Sequence, residues 1–511
     1  MDNAPMRIAS IELTNVGVFD HQLIEFRPRS ITDKAEIHIL TGINGSGKST
    51  ILYALASAFS LSHLAERRFR HTDDRSLAVI SCTNGSATPS AVTVGFDNRK
   101  RFSYIQDFPA LQDYRHGAKV QLEFAQQRDF TFAAFAYSGS RTISSARISA
   151  IQELSTNPLQ NALEFQGSVD PNQLIQWIAN TKAKAAFAQQ DQQLDLAERY
   201  QSSLSRIEQS VGEIVGYSVE FVFNYEPLSV HIRANNRVLE FELLPDGLKS
   251  IISWIADLLM RLDRIHWAEK HNTLDRNFIL FLDEIEIHLH PAWQRKILPV
   301  IQKLFKNAQI FIATHSPFVV GSVSGAWVYR FDIQDGVSTL VDVEESMAGS
   351  SYTTVIDEIF GIDEYFDVET EREFAEFDRL KRDLLSGNQT VVQDLVALAK
   401  QLAAKSTEAQ DIVGRELRQL ERITKQDLPL CCDRCQASKR ERFNRLLLKP
   451  DTPDYRFERY FVVNYRTGEI EVNPGAPEQD QQRAQFTIEV YALNEHGRPQ
   501  SRLLEAKKYR S

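Results

Sequence analysis

The sequence predicts an α/β fold: a mixed sheet with flanking helices and a helical insert, then a C-terminal helical subdomain and a small α+β tail. Three observations carry this. Residues 36–40 are an apolar run that leads through a glycine-rich stretch into a helical pattern, residues 49–59. Residues 278–282, after Asn277, are a second apolar run, ending in Asp283-Glu284. Residues 308–314 are a third, ending at His315. Short apolar runs with polar or glycine punctuation read as strands buried on both faces of a largely parallel sheet.

The glycine-rich stretch is Thr41-Gly42-Ile43-Asn44-Gly45-Ser46-Gly47-Lys48-Ser49-Thr50, which fits GxxxxGK[ST] between a strand and a helix. In such a loop Gly42, Gly45 and Gly47 let the backbone curl, so that amides from Asn44 to Thr50 face phosphate oxygens. Lys48 reaches the β- and γ-phosphates of a nucleoside triphosphate, and the Ser49 hydroxyl ligates Mg²⁺. Asp283 and Glu284 sit at the carboxyl end of their strand, where open α/β sheets bind ligands. Asp283 then holds Mg²⁺, and Glu284 orients or deprotonates the attacking water.

The bulk properties exclude several classes. Of 511 residues, 43% are hydrophobic and 25% charged, as in ordinary globular protein. The net charge of −10 means that any nucleic-acid contact uses local basic patches. No apolar run is long enough to span a bilayer, so no membrane association is expected. The first residues lack a secretory pattern, four cysteines make no disulfide framework, and the expected compartment is the cytoplasm.

Residues 7–13 and 22–26 alternate as strands around a turn at 14–19, and with 36–40 they predict a β-meander leading into the glycine loop. Residues 66–71, Glu-Arg-Arg-Phe-Arg-His, either touch phosphates or form a solvated helix end. Residues 77–104 and 118–137 alternate and predict strands. The insert, about residues 142–240, has a helical stretch over 173–211 but no sustained heptads, so no long coiled-coil arm is expected. Leu244-Pro245-Asp246-Gly247-Leu248 precedes an apolar helical run over 251–262. His288 and His290 have the wrong spacing, and lack the third ligand, for zinc. Helical periodicity returns over 369–385, 390–404 and 412–422, with a break at 386–388.

These stretches carry a resemblance. Residues 8–50 and the Asp283–Gln294 segment resemble ABC-type heads of the SMC and RecF branch of AAA-type ATPases. The resemblance makes Lys48, Glu284 and His315 catalytic, with His315 beside the γ-phosphate. It makes Pro245-Asp246-Gly247 a signature-like turn, whose Asp246 and Gly247 face the phosphates held by a second subunit. The family usually has Ser where this chain has Pro245. More narrowly, the head resembles the ATPase of Septu-type (PtuA-like) and retron-associated antiphage systems. That implies ATP and Mg²⁺ as cofactors, a homo-oligomer, and a partner HNH nuclease regulated by ATP. A RecF- or SMC-like repair ATPase that binds DNA with ATP is the alternative.

The predicted domains are a head over 1–345, a helical subdomain over 346–425 and a tail over 426–511. The tail holds Cys431-Cys432-Asp433-Arg434-Cys435, and Cys432 and Cys435 supply two of the four ligands that a structural zinc takes. Zinc and a pair of reduced cysteines in a turn both stay open. The tail resembles the latter part of an HNH nuclease, but Gln436 replaces an Asn and the half with the metal-binding His is absent. An intrinsic nuclease is therefore not expected. The resemblance implies a degenerate segment that docks a partner or nucleic acid through Lys439, Arg440, Arg442 and Arg445.

Overall fold

The computed structural model describes residues 5–31, 33–60, 65–70, 75–83, 89–96, 101–139, 148, 150–268, 273–346, 349, 352–360, 366–424, 428, 448, 455–463, 470–490 and 493. The chain forms two compact units, Met1–Asp363 and Glu364–Ser511.

The first unit starts with a hairpin, β1 (Arg7–Val16) and β2 (Phe19–Glu25), in which Ile11 faces Ile24. β3 (Glu36–Gly42) then runs into the glycine loop and α1 (Lys48–Ser57). β4 (Leu77–Thr83), β5 (Ser90–Phe96) and β6 (Phe102–Gln106) extend the hairpin into an antiparallel sheet of order β2-β1-β4-β5-β6. The predicted meander is thus corrected at its third member, because β3 leaves the hairpin for another sheet. The strand predicted over 118–137 is corrected too. Its first half belongs to α2 (Pro109–Lys119) and α3 (Leu122–Ala125), and only β7 (Ala133–Ser138) is a strand.

The insert folds as two helices, α4 (Pro171–Gln190) and α5 (Leu194–Val215), followed by a meander of β8 (Val219–Tyr225), β9 (Leu228–Ala234) and β10 (Arg237–Leu239). The Asp170 carboxylate starts α4 by accepting from the Asn172 and Gln173 amides, and left-handed Gly216 ends α5.

α6 (Asp246–Arg264) is buried nearly all round, the pattern of a helix at the centre of a domain. Its two buried charges pair with each other. Arg261 Nε donates to Asp257 Oδ2 at 2.6 Å, and Tyr137 on β7 donates to the same oxygen at 2.8 Å. Arg261 also donates to the carbonyls of Pro158, Gln160 and Ser168, which ties α6 to the loop beside β7.

The central sheet adds β11 (Phe278–Asp283), β12 (Ala308–Ala313), β13 (Trp327–Gln334) and β14 (Val337–Glu345). Its order is β14-β13-β3-β12-β11-β7, parallel except for β13–β14. α7 (Pro291–Leu304) connects β11 to β12. β11 and β12 are buried on both faces, which is why they read as unbroken apolar runs. Each fully buried Leu, Ile or Phe there contributes roughly 1.5–3 kcal/mol. Phe281, stacked on Phe311 and wholly buried, is a residue whose truncation to Ala costs about 3–5 kcal/mol. The edge strand β7 is covered, since Ala136 N donates to Ala162 O and Ser138 N to Phe165 O.

Register positions the site. Leu40, Ala313, Asp283 and Ser138 lie on one row across β3, β12, β11 and β7. The glycine loop, Glu284 and the segment holding His315 therefore leave the sheet at the same end. After α8 (Pro317–Val320) and α9 (Tyr352–Val355) the first unit ends.

In the second unit α10 (Val368–Leu385), α11 (Val392–Lys405) and α12 (Thr407–Thr424) enclose Phe377, Leu384, Leu395, Leu402 and Leu417. A separate small core holds Phe461, Ile470 and Ala484, from the hairpin β15 (Phe461–Val463) and β16 (Ile470–Val472) and the helix Glu478–Val490. Among the described residues no helix is long and apolar enough to cross a membrane.

Candidate active site

The glycine loop closes on itself. Lys48 Nζ donates to Gly42 O at 3.0 Å, Ile43 O at 2.9 Å and Ser46 Oγ at 3.2 Å. Asn44 and Gly45 are exposed at its tip, whereas Ser46 is buried. Gly47, just before α1, has φ +85, and a Cβ there would lie 2.4 Å from the Phe19 ring. Only glycine fits, because the left-handed region and the ring both exclude a side chain. α1 has no side-chain cap, so its first amides point into the loop. Burial lowers the Lys48 pKa to about 8, against the opposing pull of Glu284, Asp283 and Glu286.

The second half of the site comes from the end of β11. Ser49 Oγ donates to Asp283 Oδ1 at 2.8 Å. Burial raises the Asp283 pKa, the Ser49 hydrogen bond opposes that, and nearby Glu284 adds to it. Glu284 leaves the strand with φ +52, and its amide donates to Ala313 O at 2.9 Å. A left-handed carboxylate residue at a strand end is a strained backbone of the kind that clusters at functional sites.

His315 follows β12 and is partly buried. Its amide donates to Glu286 Oε1 at 3.1 Å. Burial lowers its pKa, Lys48 lowers it further and Glu284 opposes them, a balance that favours the neutral imidazole. Glu284 is thus close enough to act electrostatically on both Lys48 and His315.

Two contributors were not assigned from the sequence. Glu286 is buried under His315, although it stands only two residues beyond Glu284. Arg68, in the basic cluster left open above, donates to Thr50 Oγ1 at 3.3 Å, covers the Tyr53 ring, and acts on Asp283 electrostatically.

Asp246 and Gly247 form the first turn of α6, with Pro245 as its N-cap and no side-chain capping bond. Asp246 accepts from Lys249 Nζ at 3.4 Å. A Cβ on Gly247 would meet His288 O at 2.6 Å and the Trp293 ring at 3.2 Å. This turn packs on the segment after Asp283-Glu284, against His288 and Trp293.

The donor set suits Mg²⁺. A hydroxyl and a carboxylate are hard oxygen ligands, and Mg²⁺ commonly takes one or two carboxylates plus substrate phosphates. Among the described residues no cluster of three His, Cys, Asp or Glu side chains forms a metal cage. Cys432 and Cys435, with the zinc expectation attached to them, and Lys439, Arg440, Arg442 and Arg445 lie outside the described residues.

A family profile described as "AAA domain, putative AbiEii toxin, Type IV TA system" matches residues 37–321. The chain is 23% identical over 397 residues to the Retron Ec83 probable ATPase of Escherichia coli, covering 63% of this chain and 71% of that protein. It is 22% identical over 337 residues to the Septu protein PtuA of Bacillus thuringiensis, covering 64% and 79% respectively. Among solved structures, an SMC head bound to the C-winged helix domain of ScpA aligns over 66% of this chain and 98% of that chain, at 15% identity and a TM-score of 0.42.

Proposed function

Because the chain belongs to the AAA-domain family described as a putative AbiEii toxin of a type IV TA system, we propose that it hydrolyses ATP to ADP and phosphate. The observation that carries this reading is the hydrogen bond from Ser49 Oγ to Asp283 Oδ1. It joins the two motif residues that share one Mg²⁺ in such hydrolases, across 234 positions of sequence.

The residues divide the work. Lys48 and the amides before α1 hold the β- and γ-phosphates. Ser49 and Asp283 would hold Mg²⁺, which when bound would neutralise charge at the phosphate oxygens. Glu284 orients the attacking water and accepts its proton. The neutral His315 donates a hydrogen bond to a γ-phosphate oxygen as charge builds there. Arg68 supplies a further positive charge beside Asp283.

The proposed biological role is the ATPase subunit of an antiphage complex. Similarity to a retron probable ATPase and to a Septu protein supports it. In this reading two heads close around ATP, the uncapped start of α6 faces the partner's phosphates, and ATP occupancy regulates an associated HNH nuclease. The segment over 426–511 serves as a docking element for that partner. The test has two arms. ATP turnover by the purified chain examines the chemistry. Purification from the native operon examines the complex, with a co-purifying nuclease expected and a chain recovered alone counting against it.

A further inference from the structure

Glu286 is 9% exposed and sits between the turn after β11 and the end of β12. Its Oε1 accepts from Thr314 Oγ1 at 2.5 Å and from His315 N at 3.1 Å. Thr314 Oγ1 in turn accepts from Ser316 N at 3.0 Å. Ser316 Oγ donates to Gln294 Oε1 at 2.6 Å, and Gln294 Nε2 donates to Leu289 O at 3.0 Å. The turn holding Glu284 and the segment holding His315 are thereby cross-linked twice, once through Glu286 and once through Gln294. The second oxygen, Oε2, is buried and has no hydrogen-bond partner among the described residues.

We propose that Glu286 is a positioning residue: it fixes the His315 peptide, and so the imidazole, relative to Glu284, which stands two residues before it on the same turn. This rests on the hydrolytic reading above. The peptide of His315 lies just beyond the last residue of β12, where no sheet partner fixes its amide, and Glu286 Oε1 supplies the acceptor. Because the same residue belongs to the turn after Asp283, a single side chain sets the spacing between the group that handles water and the group that meets the γ-phosphate. The lone buried Oε2 suits a carboxyl that carries its proton there, since an ionised oxygen so placed would lack any compensating donor. Burial raises the Glu286 pKa in that direction, with the Thr314 hydrogen bond opposing. Glutamine is then the near-isosteric replacement, with an amide oxygen for Thr314 and His315.

The role is separable from simple support of the fold. A misplacement of about 1 Å in a catalytic group costs on the order of 100-fold in rate. In the full-length protein, Glu286→Ala is expected to lower kcat by about 10–100-fold with KM and nucleotide affinity within about twofold. Glu286→Gln is expected to keep kcat within about threefold of the parent. Thr314→Val, which removes one donor to Oε1 but leaves the His315 amide bond, is expected to lower kcat several-fold. The second readout is the His315 imidazole resonance in protein labelled at histidine, assigned with His315→Gln. It should move in Glu286→Ala and in Thr314→Val, and stay in place in Glu286→Gln. Parent-like kcat and an unmoved resonance in Glu286→Ala would overturn the proposal, as would parallel loss of kcat and nucleotide affinity. If Glu286→Ala does not fold, Thr314→Val decides alone, and an unmoved resonance with parent-like kcat refutes the positioning role. A parent protein that never hydrolyses ATP refutes the hydrolytic reading instead, while the resonance still reports on whether Glu286 places His315.

Discussion

Ser49 and Asp283 meet through a hydrogen bond of 2.8 Å from the Ser49 hydroxyl to Asp283 Oδ1, although one lies in the first turn of α1 and the other ends β11. Parallel pairing of β3 with β12, and of β12 with β11, brings the two strand ends to the same end of the sheet, with β12 between them. Ser49→Ala removes the hydroxyl without touching the strands. Its affinity for MgATP should fall about tenfold, while affinity for metal-free ATP changes less than about twofold. Titration with a fluorescent ATP analogue, with and without Mg²⁺, checks this. An equal loss in both titrations would place Ser49 on the phosphates rather than on the metal.

Lys48 gives a pH dependence. Burial lowers its pKa to about 8, and bound phosphates favour the ammonium and raise it again. Binding therefore takes up a proton above pH 8, and affinity for MgATP falls there by up to about tenfold per pH unit. Below that pH the lysine is already charged and this contribution is flat. Calorimetry at pH 8.5 in buffers of different ionisation enthalpy should register proton uptake, and its absence would mean that Lys48 keeps its charge unaided.

The buried Asp257–Arg261 pair is a stability element rather than a chemical one. Asp257→Ala leaves the Arg261 guanidinium in the core without its carboxylate, an arrangement that costs roughly 3–5 kcal/mol. Chemical denaturation should show that loss. A change below about 1 kcal/mol would mean that the carbonyls of Pro158, Gln160 and Ser168 suffice for Arg261.

Much of this architecture is visible in the sequence, and the exceptions have physical causes. β11 and β12 read correctly because strands covered on both faces must be apolar throughout. The helix after Pro245 reads correctly because its apolar run is too long for a strand. The segment 118–137 misleads because Val120, Leu122 and Phe124 alternate without facing a sheet, and Phe124 is 56% exposed on α3. β3 looks like part of the opening meander because nothing local states its partners. Those partners are Gln309 and Ile310 on one side and Trp327 and Val328 on the other, all far along the chain. Glu286 stayed unassigned for the same reason, since its role depends on Thr314 and His315 across the sheet.

The most direct test of the central claim is phosphate release by Glu284→Gln beside the parent, with Lys48→Ala as the binding control. The parent should hydrolyse ATP, and Lys48→Ala should lose nucleotide binding. Glu284→Gln should bind ATP as tightly as the parent but release phosphate about 100-fold or more slowly, the scale on which a general base contributes. Parent-like phosphate release from Glu284→Gln would contradict the account.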